Sequence, residues 1–140
     1  MNRFHGITAS GGVRRLDAWG QGHFGAGRGN RRHDGVDFVA LPGEEILSPI
    51  DGNLIRIARP YKDDPRYEGV VIRGTGAWIG VEVKLFYVQG EKSGPVKAGD
   101  RIGTAQNLGP RYSGITNHVH MEVRQGGRLV PPDDMFWQCL

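Results

Sequence analysis

The chain has a single cysteine, Cys139. One cysteine excludes an internal disulfide and a thiolate cluster for zinc. Long apolar runs are also missing: nothing approaches the ~20 apolar residues in a row that a membrane helix needs, so no span is expected. Residues 1–13 do not carry the apolar stretch of a signal peptide. Lysine is scarce, with four lysines against fourteen arginines. No aromatic-interleaved basic stripe or familiar nucleic-acid motif accompanies the arginines, so nucleic acid is not an expected partner. Finally, no segment holds a helical period long enough for a sizeable helix.

Glycine is present in excess, 23 of 140 residues, where average usage gives roughly 10. Glycine disfavours helix interiors and serves turns that need unusual backbone angles. Together with 38% hydrophobic residues, this points to a folded protein of sheets and turns. The length has room for one domain. Strand patterns fall at 36–40, 53–58, 69–73, 81–88, 101–104, 118–124 and 128–130, separated by Gly-, Pro- and Asp-containing turns. The expected fold is all-β: six or seven strands in one compact, largely antiparallel sheet domain with long loops. Residues 1–21 are read as a loop segment packed on that domain, and residues 22–140 as the domain itself.

Charge is unevenly spread. Residues 1–33 carry six arginines against one acid, Asp17, whereas residues 34–140 carry twelve bases against fourteen acids. Arg14, Arg15, Arg28, Arg31 and Arg32 would form a basic lip able to attract an anionic polymer, or simply a solvated surface.

Five histidines occur: His5, His23, His33, His118 and His120. His5 reads as part of an untethered tail and His23 as a loop residue among glycines. The other three form two compact patterns, His33-Asp34-Gly35-Val36-Asp37 and His118-Val119-His120. On a strand, side chains two apart share a face, so His118 and His120 point the same way. A catalytic zinc commonly takes three protein ligands plus water. His33, Asp37 and one histidine of the pair would supply two nitrogens and one oxygen. The remaining histidine would stand beside the metal, placed to exchange a proton. Glu122 lies on the same strand face and is the candidate to orient an imidazole; its alternative is a solvated strand residue.

The motifs together resemble the lysostaphin/LytM-type zinc peptidases. His33 and Asp37 resemble the family's His-x-x-x-Asp, and His118 to Arg124 its His-x-His-x-Glu-x-Arg ending. Phe24-Gly25-Ala26-Gly27-Arg28, Ser48-Pro49-Ile50-Asp51-Gly52 and Val96-Lys97-Ala98-Gly99-Asp100-Arg101-Ile102-Gly103 follow the family's course between and before them. The resemblance covers residues 22–132. It implies a groove with one zinc held by His33, Asp37 and His120, with His118 as a catalytic histidine. It further implies cleavage of peptide bonds in bacterial peptidoglycan and a periplasmic or extracellular target; nothing in the sequence sets the oligomeric state, and a monomer is the default.

One position departs from the family. Active members carry a second histidine in a Tyr-x-His step, but here the strand reads Lys84-Leu85-Phe86-Tyr87-Val88-Gln89. Tyr87 or Gln89 stands near the matching place, and Tyr87 could donate a hydrogen bond to a developing oxyanion. This variant resembles the site of leukocyte cell-derived chemotaxin, through residues 17–37, Phe86-Tyr87, Gly94-Pro95, Tyr112-x-Gly114-Ile115 and His118-Val119-His120. That resemblance implies zinc without catalysis. Two readings follow: a zinc metalloendopeptidase, or a zinc-containing module that binds wall peptides or a protein partner.

Overall fold

Strands of period two bury one face and turn the other toward the site. The computed structural model describes residues 3–8, 27–28, 31–32 and 35–131. Its strands in chain order are β1 (Gly27–Arg28), β2 (Arg31–Arg32), β3 (Val36–Val39), β4 (Glu45–Leu47), β5 (Gly52–Ala58) and β6 (Gly69–Gly74). There follow β7 (Val81–Phe86), β8 (Val88–Gly90), β9 (Gly94–Val96), β10 (Arg101–Ala105), β11 (His118–Gln125) and β12 (Arg128–Val130). Among the described residues the one helical element is a single 3-10 turn, Gly76–Trp78, and no helix is long and apolar enough to cross a membrane. The fold is all-β, as expected, but the short strands outnumber the six or seven read from the sequence.

Seven strands form the main antiparallel sheet in the order β12-β11-β7-β6-β5-β9, with β3 also pairing β11. A second sheet, β4-β10-β8, packs beside it, and β1 and β2 form a separate hairpin. The register places Met121 opposite Leu85 and Leu85 opposite Val70, then Val123 opposite Val83 and Val83 opposite Ile72. These rows are buried and belong to the core with Val36, Phe38, Ile46, Ile50 and Ile102. Alternation then puts His118, His120 and Glu122 on the other face of β11.

Three departures from the sequence expectation have local causes. A bulge in β5 shifts the pairing between Leu54 and Arg56, so Ile55 drops out of the alternation and is exposed. The segment 81–88 is two strands, because Tyr87 adopts a left-handed backbone with φ +69. The start of the chain is no untethered tail. Phe4 and Ile7 are buried, Phe4 packs against Trp78 with ring centroids 5.1 Å apart, and the His5 N–H donates to the Pro49 carbonyl at 2.8 Å. A short strand-like segment needs only two apolar anchors and a few backbone bonds to dock.

His23, His33, the side chains of the arginine-rich lip and Cys139 lie outside the described residues.

Candidate metal centre

Asp37 and His120 face each other because β3 pairs β11 with those two residues in direct register. Gly35 makes the approach possible. A Cβ at that position would lie 1.9 Å from the Met121 carbonyl oxygen, so no other residue lets the chain enter β3 this close to β11. Across the other edge of β11, His120 pairs with Phe86 of β7. Their rings stack at 5.8 Å with planes 15° apart, which fixes the imidazole from that side.

The donor set is tight and buried. His120 Nδ1 lies 2.8 Å from Asp37 Oδ1, and its Nε2 lies 3.3 Å from Glu122 Oε2. Burial alone would pull the His120 pKa down. The hydrogen bonds to Asp37 and Glu122, with their negative charge, outweigh burial and push it up to about 9. Burial pushes the Glu122 carboxyl up, and the His120 ring more than reverses this, holding it below its ordinary value. Glu122 is thus no solvated strand residue: its carboxylate meets the His120 ring at Nε2.

His118 is held differently. Its Nδ1–H donates to the Thr116 carbonyl at 2.8 Å, since a carbonyl can only accept. Its Nε2 then points at Asp37 Oδ2, 3.4 Å away. A nitrogen lone pair and a carboxylate oxygen cannot face each other without a proton or cation to share.

The same logic tests zinc. Between two carboxylates the His120 ring is held protonated; a zinc ion would displace the Nδ1 proton, leaving Nε2–H on Glu122 and the Nδ1 lone pair beside Asp37 Oδ1 for the metal. Two such acceptors at 2.8 Å approach the ~3.3 Å separation of neighbouring ligands around a tetrahedral zinc with bonds near 2 Å. The donor chemistry fits. Among the described residues no three His, Cys, Asp or Glu side chains make a metal site by themselves. The third expected ligand, His33, lies outside them.

Tyr87 reaches His118 through its backbone. Regular alternation after Leu85 would send its side chain to the core face. The positive φ redirects it, and its ring meets His118 edge-on with centroids 5.5 Å apart. Its hydroxyl bonds Tyr61 at 2.9 Å, and burial pushes its pKa up to about 12, so it holds its proton at neutral pH. Gln89, the other residue considered for this place, sits on β8 opposite Thr104.

Several residues around these side chains went unassigned in the sequence. Asn117 holds the entry to β11: its Nδ2 donates to the Ala40 and Gln106 carbonyls at 2.8 and 2.9 Å, and its Oδ1 accepts the Leu108 N–H at 2.8 Å. Tyr61 hydrogen-bonds Tyr112 as well as Tyr87. Arg111 lies over the Tyr61 ring, 3.7 Å from its centroid, and is ion-paired to Asp64 at 3.0 Å. Asp64 also pairs with Arg66 at 2.8 Å, whose hydrogen bonds hold its carboxyl well below the usual carboxylate range. Tyr61 and Arg111 come from loops with no period to mark them. Tyr112 carries a likeness to the chemotaxin pattern, though without a role.

Residues 31–132 match peptidase family M23. The chain belongs to that family. It is 33% identical over 112 residues to leukocyte cell-derived chemotaxin-2 of Mus musculus, covering 79% of this chain and 72% of that protein. Among solved structures it is similar to the antimicrobial peptidase lysostaphin from Staphylococcus simulans, with a TM-score of 0.68, 14% identity, and coverage of 99% of this chain and 55% of that one. It is also similar to a zinc-containing peptidase from Vibrio cholerae, with a TM-score of 0.62, 23% identity, and coverage of 92% and 39%. At these identities the structural likenesses establish the fold.

Proposed function

We propose that the protein is a zinc-dependent endopeptidase acting on peptide bonds of bacterial peptidoglycan, in the periplasm or outside the cell, as a monomer. The observation that carries this reading is the convergence of Asp37, His118 and His120 on one buried patch, with the Tyr87 ring edge-on to His118. His33, Asp37 and His120 would hold the metal. A zinc ion there would polarise a peptide carbonyl and bring water toward ionisation near neutral pH.

The protein's own residues supply the rest. His118 Nε2, its tautomer set by Thr116, takes the proton of the attacking water and delivers it to the leaving amine. The Tyr87 O–H donates to the carbonyl oxygen as charge builds on it. Glu122 keeps the His120 ring in the orientation that serves Asp37. Phe86 excludes water from one side of that ring.

The 33% likeness to chemotaxin-2 supports a second reading, a zinc-containing module that binds wall peptides or a protein partner without cleaving. Zinc-loaded protein is incubated with purified peptidoglycan and new amino ends are followed by mass spectrometry, with His118→Ala alongside. Release by the wild type and not by the variant is expected. No products across several wall chemistries, with zinc retained and the protein sedimenting with the wall, would overturn the peptidase reading in favour of the binding module.

A further inference from the structure

We propose that Arg111, Tyr112 and Tyr61 form a polarised hydroxyl chain that leaves the Tyr87 hydrogen for an acceptor beside His118, making them positioning residues for the donor. The proposal rests on the peptidase reading above and names the machinery behind one of its groups.

Counting hydrogens leads to the direction. A guanidinium can only donate, and Arg111 Nε–H donates to the Tyr112 oxygen at 3.2 Å. Tyr61 contacts the hydroxyls of both Tyr112 and Tyr87. It has one hydrogen, so it donates to one neighbour and accepts from the other. The positive charge sits at the Tyr112 end and over the Tyr61 ring. Phenol dipoles therefore turn their oxygens toward Arg111 and their hydrogens away. The order is Tyr112 to Tyr61 to Tyr87, each bond polarising the next. Among the described residues the Tyr87 hydroxyl has no hydrogen-bond partner besides Tyr61. With that bond accepted, its own hydrogen is left for the carbonyl oxygen of a bound peptide.

Ion pairs and ring contacts frame the chain. Asp64 pins Arg111 at 3.0 Å and is itself held by Arg66. Tyr67 lies edge-on to both Tyr61 and Tyr87, at 6.0 and 6.1 Å, and its hydroxyl donates to the Asn107 carbonyl at 3.0 Å. The left-handed backbone at Tyr87 is the kind of local strain found where a side chain is aimed for use. Burial raises the pKa of Tyr61 and Tyr87 alike, so both stay protonated at neutral pH.

The test compares affinity for two probes by calorimetry on zinc-loaded protein: a glycyl phosphinic pseudodipeptide, tetrahedral and anionic, and the matching diglycine amide. The wild type is expected to prefer the phosphinate by about a hundredfold or more. Tyr87→Phe should lose at least about tenfold of that preference, and Tyr112→Phe and Arg111→Met about tenfold, each weakening the phosphinate more than the amide. Arg111→Lys, which keeps the charge, should recover part of the loss. Melting temperature and zinc content confirm that each variant is folded. If Tyr112→Phe and Arg111→Met match the wild type while Tyr87→Phe is impaired, the chain is overturned and the donor stands. If Tyr87→Phe also matches, donor and chain both fall. A wild type with no phosphinate preference overturns the peptidase reading instead. The chain is then judged on metal-free protein carrying 13Cζ-labelled tyrosine, where Tyr112→Phe should move the Tyr87 resonance. An unmoved resonance overturns the chain.

Discussion

Asn117→Ala tests how the groove is held together. The Asn117 side chain makes three hydrogen bonds, to the Ala40 carbonyl, the Gln106 carbonyl and the Leu108 N–H. Each contributes about 1 kcal/mol net. Ala40 and Leu108 are both fully buried, so their orphaned groups find water poorly, whereas Gln106 is partly exposed. The expected loss is about 3 kcal/mol, which for a domain of this size lowers the melting midpoint by about 10 °C. Asn117→Asp is the discriminating control. It keeps an acceptor for Leu108 but loses both donors and sets a carboxylate against two carbonyls, so it should be no more stable than the alanine variant. Denaturant unfolding with an unchanged slope gives the free energy directly. A loss below about 1 kcal/mol, or an aspartate variant near wild type, would refute the reasoning that these three bonds join the loops at the start of β11.

Gly35→Ala should cost at least about 2 kcal/mol, because its Cβ would collide with the Met121 carbonyl of a central strand; it should also weaken zinc retention by displacing Asp37, and a stable variant with full zinc would contradict the register argument. Metal-free protein should lose stability as pH rises. The His120 pKa moves from 6.5 to about 9 on folding, so its contribution is complete below about 6.5 and lost as pH climbs through about 9, a change on the order of 3 kcal/mol. Denaturant midpoints at pH 6 and 9.5 in a chelator check the sign, and a higher midpoint at pH 9.5 would sink it.

Much of the sheet was legible because period-two alternation and β-branched residues coincide. The segments at 69–73, 118–124 and 128–130 read as strands for that reason, and β6, β11 and β12 stand there. One partner of His120 could be named from the same alternation, which puts Glu122 on its face. What the sequence hid is governed by single dihedrals and by loops. The left-handed Tyr87 cuts one strand into two, and nothing in Phe86-Tyr87-Val88 marks it, since bulky residues seldom adopt that conformation. The bulge at Ile55 hid because one extra residue in a strand leaves its composition unchanged. Tyr61 and Arg111 meet only after two loops fold against each other, and Asn117 joins Ala40, Gln106 and Leu108 in the same way, so no local pattern could mark them.

The kink at Tyr87 bears on the choice between enzyme and binding module. A non-glycine residue in the left-handed region costs roughly 1–2 kcal/mol. The regular alternative would place this ring beside Leu85 on the core face, where burial stabilises it. The chain instead turns the ring to His118 and holds its hydroxyl through Tyr61. A surface that only binds peptide needs apolar area and a few backbone partners, which a flat strand supplies without strain. A donor that must meet charge developing on one oxygen needs a fixed position, because its contribution depends on donor distances near 2.7–3.1 Å. The strained tyrosine, the oriented His118 and the Asp37–His120 pair thus favour the reading in which the groove acts on a peptide bond.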